Sequence, residues 1–264
     1  MELDHTVTAL VTGANGGIGT AIARALKLHE TKLVLSGRRP ETLQELAAET
    51  KARVIVADLA VRADVHRLCE EAGPVDVLVL NAALPASGPL LEFTEEQIVR
   101  AMAVNLEVPI VMARYFAERM VERGRGQIVF ISSISGKVAA RGTAIYSATK
   151  FGMRGFALGL RDDLHGTGVG VSTIFPGFIR DAGMFHDTGV QLPPGAGTRT
   201  PGDVAQAVLR AIRDDAAEID VAAFEQVAGA YLAAFAPGLV SRLARLSDGE
   251  RLAKEMSEAQ KHKR

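Results

Sequence analysis

Tyr146 and Lys150, in the run Tyr146-Ser147-Ala148-Thr149-Lys150, stand one helical turn apart, which puts a phenol and an ammonium on the same helix face. A free phenol has a pKa of about 10 and is uncharged at neutral pH. A neighbouring cation favours the phenolate, so the pair can move a proton at a hydroxyl or carbonyl oxygen. Lowering the phenol by about three units requires about 4 kcal/mol, within reach of charges in a partly dry site. Ser133 lies thirteen residues before Tyr146, at the end of an apolar run, where its hydroxyl can donate to an oxygen gaining negative charge. Far upstream, Thr12-Gly13-Ala14-Asn15-Gly16-Gly17-Ile18-Gly19 joins an apolar run to an amphipathic one. Glycines at a strand-to-helix junction let the backbone turn sharply and let a pyrophosphate approach. The helix then offers free N–H groups and a partial positive charge. A bare glycine triplet is weak, but its strand–helix context strengthens it.

The elements that must position these groups are legible in the hydrophobic pattern. Short, continuously apolar runs at Val7–Val11, Lys32–Ser36, Arg53–Val56, Val75–Leu80, Gln127–Ile131 and Gly170–Phe175 read as strands covered on both faces of a parallel sheet. Helical patterns lie between them. Ile18 to Leu28 places Ile18, Ile22, Ala25 and Leu26 on one face, and Glu41 to Glu49 follows Pro40, a good first helical residue. Thr94 and Gln97 form a capping box opening a helix to about Arg123, stopped by Gly124 and Gly126. A second long helix is expected from Tyr146 to His165. The alternation implies an α/β fold: a single Rossmann-type, doubly wound parallel sheet of about seven strands, with helices on both faces and extra C-terminal helices. Ligands in such sheets bind beyond the carboxyl ends of the strands. With no repeat, low-complexity tract or linker, one domain is expected over residues 1–264, with a core at about 6–222 and a helical tail at about 223–264.

The glycine spacing is Gly-x-x-x-Gly-x-Gly rather than the Gly-x-Gly-x-x-Gly of most dinucleotide folds. With Tyr146, Lys150 and Ser133 in register downstream, the chain resembles the short-chain dehydrogenase/reductase family over about residues 6 to 220. The resemblance implies hydride transfer between a nicotinamide cofactor and a carbonyl or secondary alcohol, with Asn105, Ser133, Tyr146 and Lys150 as the catalytic set. Asn105 would interrupt its helix and hold water that feeds protons to Lys150. The resemblance assigns Thr12, Gly13, Asn15, Gly16, Gly17, Ile18 and Gly19 to the pyrophosphate turn and Asp58-Leu59 to the adenine. It assigns Asn81-Ala82 to the turn after the fourth strand, where Ala83 stands in place of the usual glycine. Pro176, Gly177 and Ile179 would lie beside the nicotinamide, with Tyr146 and Lys150 also touching the cofactor. Two long helices pair across a two-fold axis in the family, so a homodimer or homotetramer is expected.

Cofactor choice turns on the end of the second strand, where an acidic residue would bind the ribose 2′-hydroxyl. Gly37 stands there, followed by Arg38 and Arg39. Arg38 can pair with a 2′-phosphate, so NADP(H) is expected, with NAD(H) the alternative if both arginines form only a solvated turn. Beyond Pro176-Gly177 the chain departs from the family: Asp181 stands near the place of a usual threonine, able to accept from the carboxamide or to be an exposed loop charge. The glycine- and proline-rich loop from Ala182 to Thr200 is a candidate lid, with Met184, Phe185 and Leu192 giving an apolar wall and His186 at the surface. The tail departs most. Glu218–Ala222 reads as a strand, Val227 to Phe235 is apolar, and Leu239, Val240, Leu243 and Leu246 have helical spacing with Arg242 and Arg245 on another face. This resembles the tails of members acting on bulky lipophilic compounds. It would pack on its own domain or a dimer mate, or serve as a substrate wall or membrane-surface contact. Lys261 to Arg264 reads as a frayed end.

Composition removes several classes. Among 264 residues, 30 basic against 31 acidic side chains leave a net charge of −1, without the basic field a nucleic-acid binder needs. One cysteine, Cys69, excludes a disulfide framework and a multi-Cys zinc site, and no metal is expected; Cys69 reads as a buried apolar residue. Absence of a basic leader or an uncharged apolar run of spanning length makes a cytoplasmic protein the expectation, with no transmembrane segment. Two readings stay beside the oxidoreductase: a catalytically silent NADP(H)-binding regulator, which would usually lack Tyr146 or Lys150, and, within the class, a 3-oxoacyl reductase, which the long tail disfavours.

Overall fold

A computed structural model describes residues 1–192, 197–245 and 249–263. Leu246 and Arg264, and the side chains of Leu243 and Arg245, lie outside the described residues. Seven parallel strands, β1 (Thr8–Thr12), β2 (Lys32–Gly37), β3 (Arg53–Val56), β4 (Val77–Leu80), β5 (Gly126–Ile131), β6 (Val169–Pro176) and β7 (Glu218–Val221), form one sheet in the order 3-2-1-4-5-6-7. The helices are α1 (Gly17–Lys27), α2 (Pro40–Thr50), α3 (Arg62–Ala72), α4 (Glu95–Met102), α5 (Val108–Glu122), α6 (Ala144–Asp163), α7 (Pro201–Asp214), α8 (Phe224–Phe235), α9 (Pro237–Arg245) and α10 (Gly249–Gln260).

The apolar runs are continuous because successive side chains enter different cores. Ala9 and Val11 face a core with Ile22, Leu26, Val204 and Val208 of α1 and α7, while Leu10 faces Leu68, Met112 and Phe116 of α3 and α5. Strands β4 and β2 divide the same way, Val77 and Val79 against Leu78 and Leu80, and Leu33 and Leu35 against Val34. The order reverses between β1 and β4, which opens a crevice at their carboxyl ends.

The Thr94–Gln97 capping box is present, with Thr94 Oγ1 accepting from the Gln97 amide (3.3 Å) and Gln97 Oε1 accepting from the Thr94 amide (3.1 Å). The helix it opens is interrupted by a π turn at Ala103–Glu107 centred on Asn105. Helix α3 carries the helical pattern around Cys69, and helix α7 was not separately expected. The second begins with its own capping box, Thr200 with Asp203, and Pro201 in the first turn, a signal present in the sequence. Cys69 is buried in α3, where burial pushes its thiol up to about 11. The fourth strand starts at Val77 rather than Val75, and Lys261–Lys263 forms a 3-10 turn rather than a loose end.

The tail is anchored on β7. Lys137 is buried, with Nζ 2.7 Å from Asp220 Oδ1 and 3.2 Å from Glu218 Oε2, and it lies over the Phe175 ring at 4.2 Å. Its approach to Asp220 is an ion pair by distance, without the alignment of a hydrogen bond. Arg154 forks Glu218 at 2.6 and 3.0 Å. Burial opposes ionisation of Glu218, but Arg154 and Lys137 outweigh it and hold the carboxyl below its usual range. Tyr231 of α8 donates to Asp220 at 3.4 Å. The outer side of α8 exposes Phe224, Tyr231, Leu232 and Phe235. Lys137→Met strips Asp220 of its cation, and stability should fall by about 3 kcal/mol, as for a broken buried ion pair. Urea unfolding reads this directly, and an unchanged midpoint would show the cluster to be dispensable.

Candidate functional site

The crevice between β1 and β4 is closed by cross-bonds at the strand ends. Thr12 Oγ1 accepts from the amides of Asn81 (3.0 Å) and Ala82 (3.2 Å), and Asn81 Nδ2 donates to the carbonyls of Thr12 (3.0 Å) and Gly13 (3.1 Å). Both side chains therefore fix the shape of the glycine turn. Gly13 takes φ +63°, and a Cβ there would fall 2.8 Å from the Ala82 Cα. Gly16 caps α1 without any side-chain bond, so the first N–H groups of α1 have no capping side chain. Ala182 and Gly183 lie directly on Gly17, where a Cβ would come within 2.2 Å of the Ala182 Cβ. The segment after β6 thus crosses the glycine turn.

At the far end of the crevice, Asn15 Nδ2 donates to Thr42 Oγ1 (3.3 Å), and Arg39, not Arg38, donates to the Asn15 carbonyl (3.3 Å). Arg38 is exposed. The Asp58 carboxylate accepts from the Ala60 amide at 3.0 Å, which folds it into a local turn, and Leu59 is buried beside it.

Ser133 follows β5; its Oγ accepts from the Ser135 amide (3.1 Å) and stands close enough to the Tyr146 phenol to favour its ionisation. Tyr146 sits in the first turn of α6 and packs on a small apolar cluster of Ala86, Ala101 and Ile145, which Phe93 and Ile98 also cover. Lys150, 1% exposed, donates from Nζ to the Ile131 carbonyl at 3.0 Å and lies 5.7 Å from the centre of the Tyr146 ring. Asn105 is fully buried, and its carboxamide pairs with both backbone groups of Leu84, Oδ1 accepting from N–H (2.7 Å) and Nδ2 donating to C=O (2.9 Å). The side chain of Asn105 thus braces the segment after β4. A π turn leaves a main-chain carbonyl outside the regular ladder, the natural acceptor for the water that the resemblance implies.

In the free protein the site penalises charge. Burial pushes the Tyr146 phenol up to about 12, and the nearby Ser133 hydroxyl only partly opposes it. Burial also brings the Lys150 ammonium down to about 8, with Nζ turned to the Ile131 carbonyl.

Beyond β6, the Gly177 amide donates to Val221 (3.0 Å), and Ile179 is buried and bridged to Arg199. Asp181 takes φ +70° and is exposed, with its carboxylate 3.5 Å from Arg180. Phe178 and Phe185 pack at 4.8 Å, and His186 is exposed 3.6 Å from Asp187. An open concavity of about 650 Å³ lies at the opposite ends of the strands, lined by Asp76, Arg125, Arg161 and Asp215, far from these groups.

The sequence pattern described as short chain dehydrogenase matches residues 7–191, which holds the glycine turn, Ser133, Tyr146 and Lys150. The chain belongs to that family. The ketoacyl reductase HetN of Nostoc sp. is 35% identical over 223 residues, covering 81% of this chain and 78% of HetN. The 3-oxoacyl-[acyl-carrier-protein] reductase FabG of Rickettsia conorii is 33% identical, covering 66% of this chain and 73% of its own length. The structure of a Sphingobium yanoikuyae short-chain dehydrogenase in complex with NADPH superposes with a TM-score of 0.77 at 27% identity, covering 89% of this chain and 95% of that one. Among the described residues, no helix is long and apolar enough to cross a membrane.

Because burial is the largest influence on the phenol, Tyr146 in the free protein should hold its proton throughout the neutral range. Tyrosinate absorbance of wild type minus Tyr146→Phe should show no ionisation below pH 10. A component titrating near neutrality in the free protein would contradict the dominance of burial.

Proposed function

We propose that this protein is an NADP(H)-dependent oxidoreductase that transfers hydride between the cofactor and the carbonyl or secondary-alcohol carbon of a lipophilic substrate, within one catalytic unit. The observation that carries the reading is the meeting of Ser133, Tyr146 and Lys150 at the carboxyl ends of the strands that also hold the glycine turn. When bound, the nicotinamide supplies or accepts the hydride. Tyr146 donates its proton to the carbonyl oxygen in reduction and removes it in oxidation. The Ser133 hydroxyl donates to the same oxygen as charge develops. Lys150 holds the nicotinamide ribose, and Asn105 fixes the segment after β4 through Leu84. Phe93, Ile98, Phe178 and Phe185 supply apolar walls that suit a lipophilic compound.

The residues present fit the cofactor. The Gly13 turn and the uncapped start of α1 suit a pyrophosphate, with Gly16, Gly17, Ile18 and Gly19 around it. Gly37 stands where an acidic side chain would bind a 2′-hydroxyl, and a Cβ there would have to displace the Asn15 carboxamide, 2.5 Å away. The exposed Arg38 guanidinium beside the start of α2 suits a 2′-phosphate instead. The relatives named as ketoacyl and 3-oxoacyl reductases favour a second reading, reduction of a 3-oxoacyl thioester.

Absorbance of the reduced nicotinamide, followed over a panel of ketones, secondary alcohols and a 3-oxoacyl thioester, separates the two. Tyr146→Phe should lower turnover about a thousandfold, within the usual range for a lost acid–base group, and leave NADPH binding intact. Arg38→Ala should raise the NADPH KM about tenfold, the weight of one charge-assisted pair, without changing that for NADH. Near wild-type turnover by Tyr146→Phe would end the proton-transfer assignment.

We also propose a homodimer built on α5 and α6. Val121, Phe151 and Leu158 are exposed along them, an apolar face that a two-fold partner would bury twice. Sedimentation at micromolar concentration should show twice the 28.0 kDa chain, and Phe151→Glu should return the monomer.

A further inference from the structure

The last long helix does not pack on the sheet. Helix α10 touches three segments near the Tyr146–Ser133 pair. Ser257 Oγ donates to Glu92 Oε2 (3.5 Å), on the segment between β4 and α4. The Ala253 Cβ lies 3.5 Å from where a Cβ on Gly142 would stand, just before α6, and the Gly142 carbonyl accepts from the Gly88 amide at 2.6 Å. Gln260 Nε2 donates to the Met184 carbonyl (3.3 Å), on the segment after β6. Residues 253, 256, 257 and 260 recur at helical spacing on one face. Ser257 and Gln260 are 3% and 2% exposed, whereas Lys254 and Glu258 on the other face are exposed. This helix lies outside the matched family region, which ends at residue 191.

We infer that α10 is the roof of the substrate cavity and that its inward face of Ala253, Met256, Ser257 and Gln260 determines which carbonyl compounds reach Tyr146. The inference rests on the proposed carbonyl chemistry of that site. The roof is lightly fastened. Its contacts to Glu92 and Met184 are long, and Gln260 Oε1 is buried with no hydrogen-bond partner among the described residues. An unsatisfied buried acceptor opposes closure, so the helix can lift to admit substrate and return over it. A roof that meets all three walls encloses its substrate. It favours a free ketone or alcohol over an acyl group whose carrier arm must leave through the same opening.

The chain contains no tryptophan, so Met256→Trp both narrows the cavity and places a single indole in the roof. With NADPH saturating, kcat/KM is measured for 2-butanone, acetophenone and benzophenone. The variant should lose at least tenfold on benzophenone and under threefold on 2-butanone, with the NADPH Kd unchanged. Ser257→Ala/Gln260→Ala, which releases both fastenings, should raise the KM for 2-butanone and spare kcat. Indole emission with NADP⁺ bound should be quenched saturably by acetophenone, a readout that needs no turnover. If wild type reduces these ketones but neither the size profile nor the emission responds, the roof assignment is wrong. If the indole responds to acetophenone while no ketone is turned over, the roof stands and the carbonyl-reduction reading falls. Circular dichroism melting of each variant confirms that the fold is retained, and Met256→Leu serves as the conservative replacement that should restore the wild-type profile.

Discussion

One buried ammonium sets the geometry of the site. Lys150 Nζ donates to the carbonyl of Ile131, the last residue of β5, and so fastens the start of α6 to the strand that delivers Ser133. Ser132 adds a bond from its hydroxyl to the Lys150 carbonyl at 3.3 Å. A charge taken out of water must be hydrogen-bonded, so this contact is not free to slide. With α6 held, Tyr146 packs on the cluster of Ala86, Ala101 and Ile145, with its phenol near Ser133. Lys150 carries three donors, and the Ile131 carbonyl takes one. Under the proposed function the other two would serve hydroxyls brought by a ligand, so the same side chain would be a structural tie and a binding group.

Much of this was readable from the chain because it is local. The strands announce themselves as unbroken apolar runs, since both faces of the sheet are covered, and the Thr94–Gln97 box marks a helix start within four residues of sequence. Less visible were the functions of polar side chains whose partners are distant. Asn105 could be read as a helix interruption, but that its carboxamide pairs with both backbone groups of Leu84 depends on a contact across 21 residues. The Thr12–Asn81 latch spans 69 residues and follows from the strand order rather than from either residue type. Arg39, rather than Arg38, engages the Asn15 carbonyl, because the first residue of the α2 turn points outward.

The tail shows the same division. Its helical spacing was evident, yet its placement was open between packing on its own domain, a dimer contact, a substrate wall and a membrane surface. Burial puts α10 against its own domain: Ser257 and Gln260, both polar, are 3% and 2% exposed. Polar side chains are buried at a terminus only where the chain returns over other segments, and the segments reached here are the three around Tyr146. Helix α8, by contrast, is fastened to β7 through Tyr231 and Asp220 and keeps its apolar outer side exposed.

The two shifted ionisations make proton transfer conditional. Burial raises Tyr146 to about 12 and lowers Lys150 to about 8, so in both cases the site penalises charge. A phenol held that high is a poor base and a weak acid at neutral pH, and Ser133 recovers only part of the difference. The missing charge must therefore arrive with the ligand. An oxidised nicotinamide ring is cationic and would stand beside the phenol, while a ribose bound to Lys150 would draw the ammonium's remaining donors and favour its charged form. Under the proposed function this couples chemistry to occupancy: Tyr146 becomes an effective base only once the hydride acceptor is in place. In reduction the requirement reverses, because loss of the hydride creates the positive ring at the same moment that Tyr146 gives up its proton. The low polarity that suppresses ionisation in the free protein then strengthens each of these charge contacts in the complex.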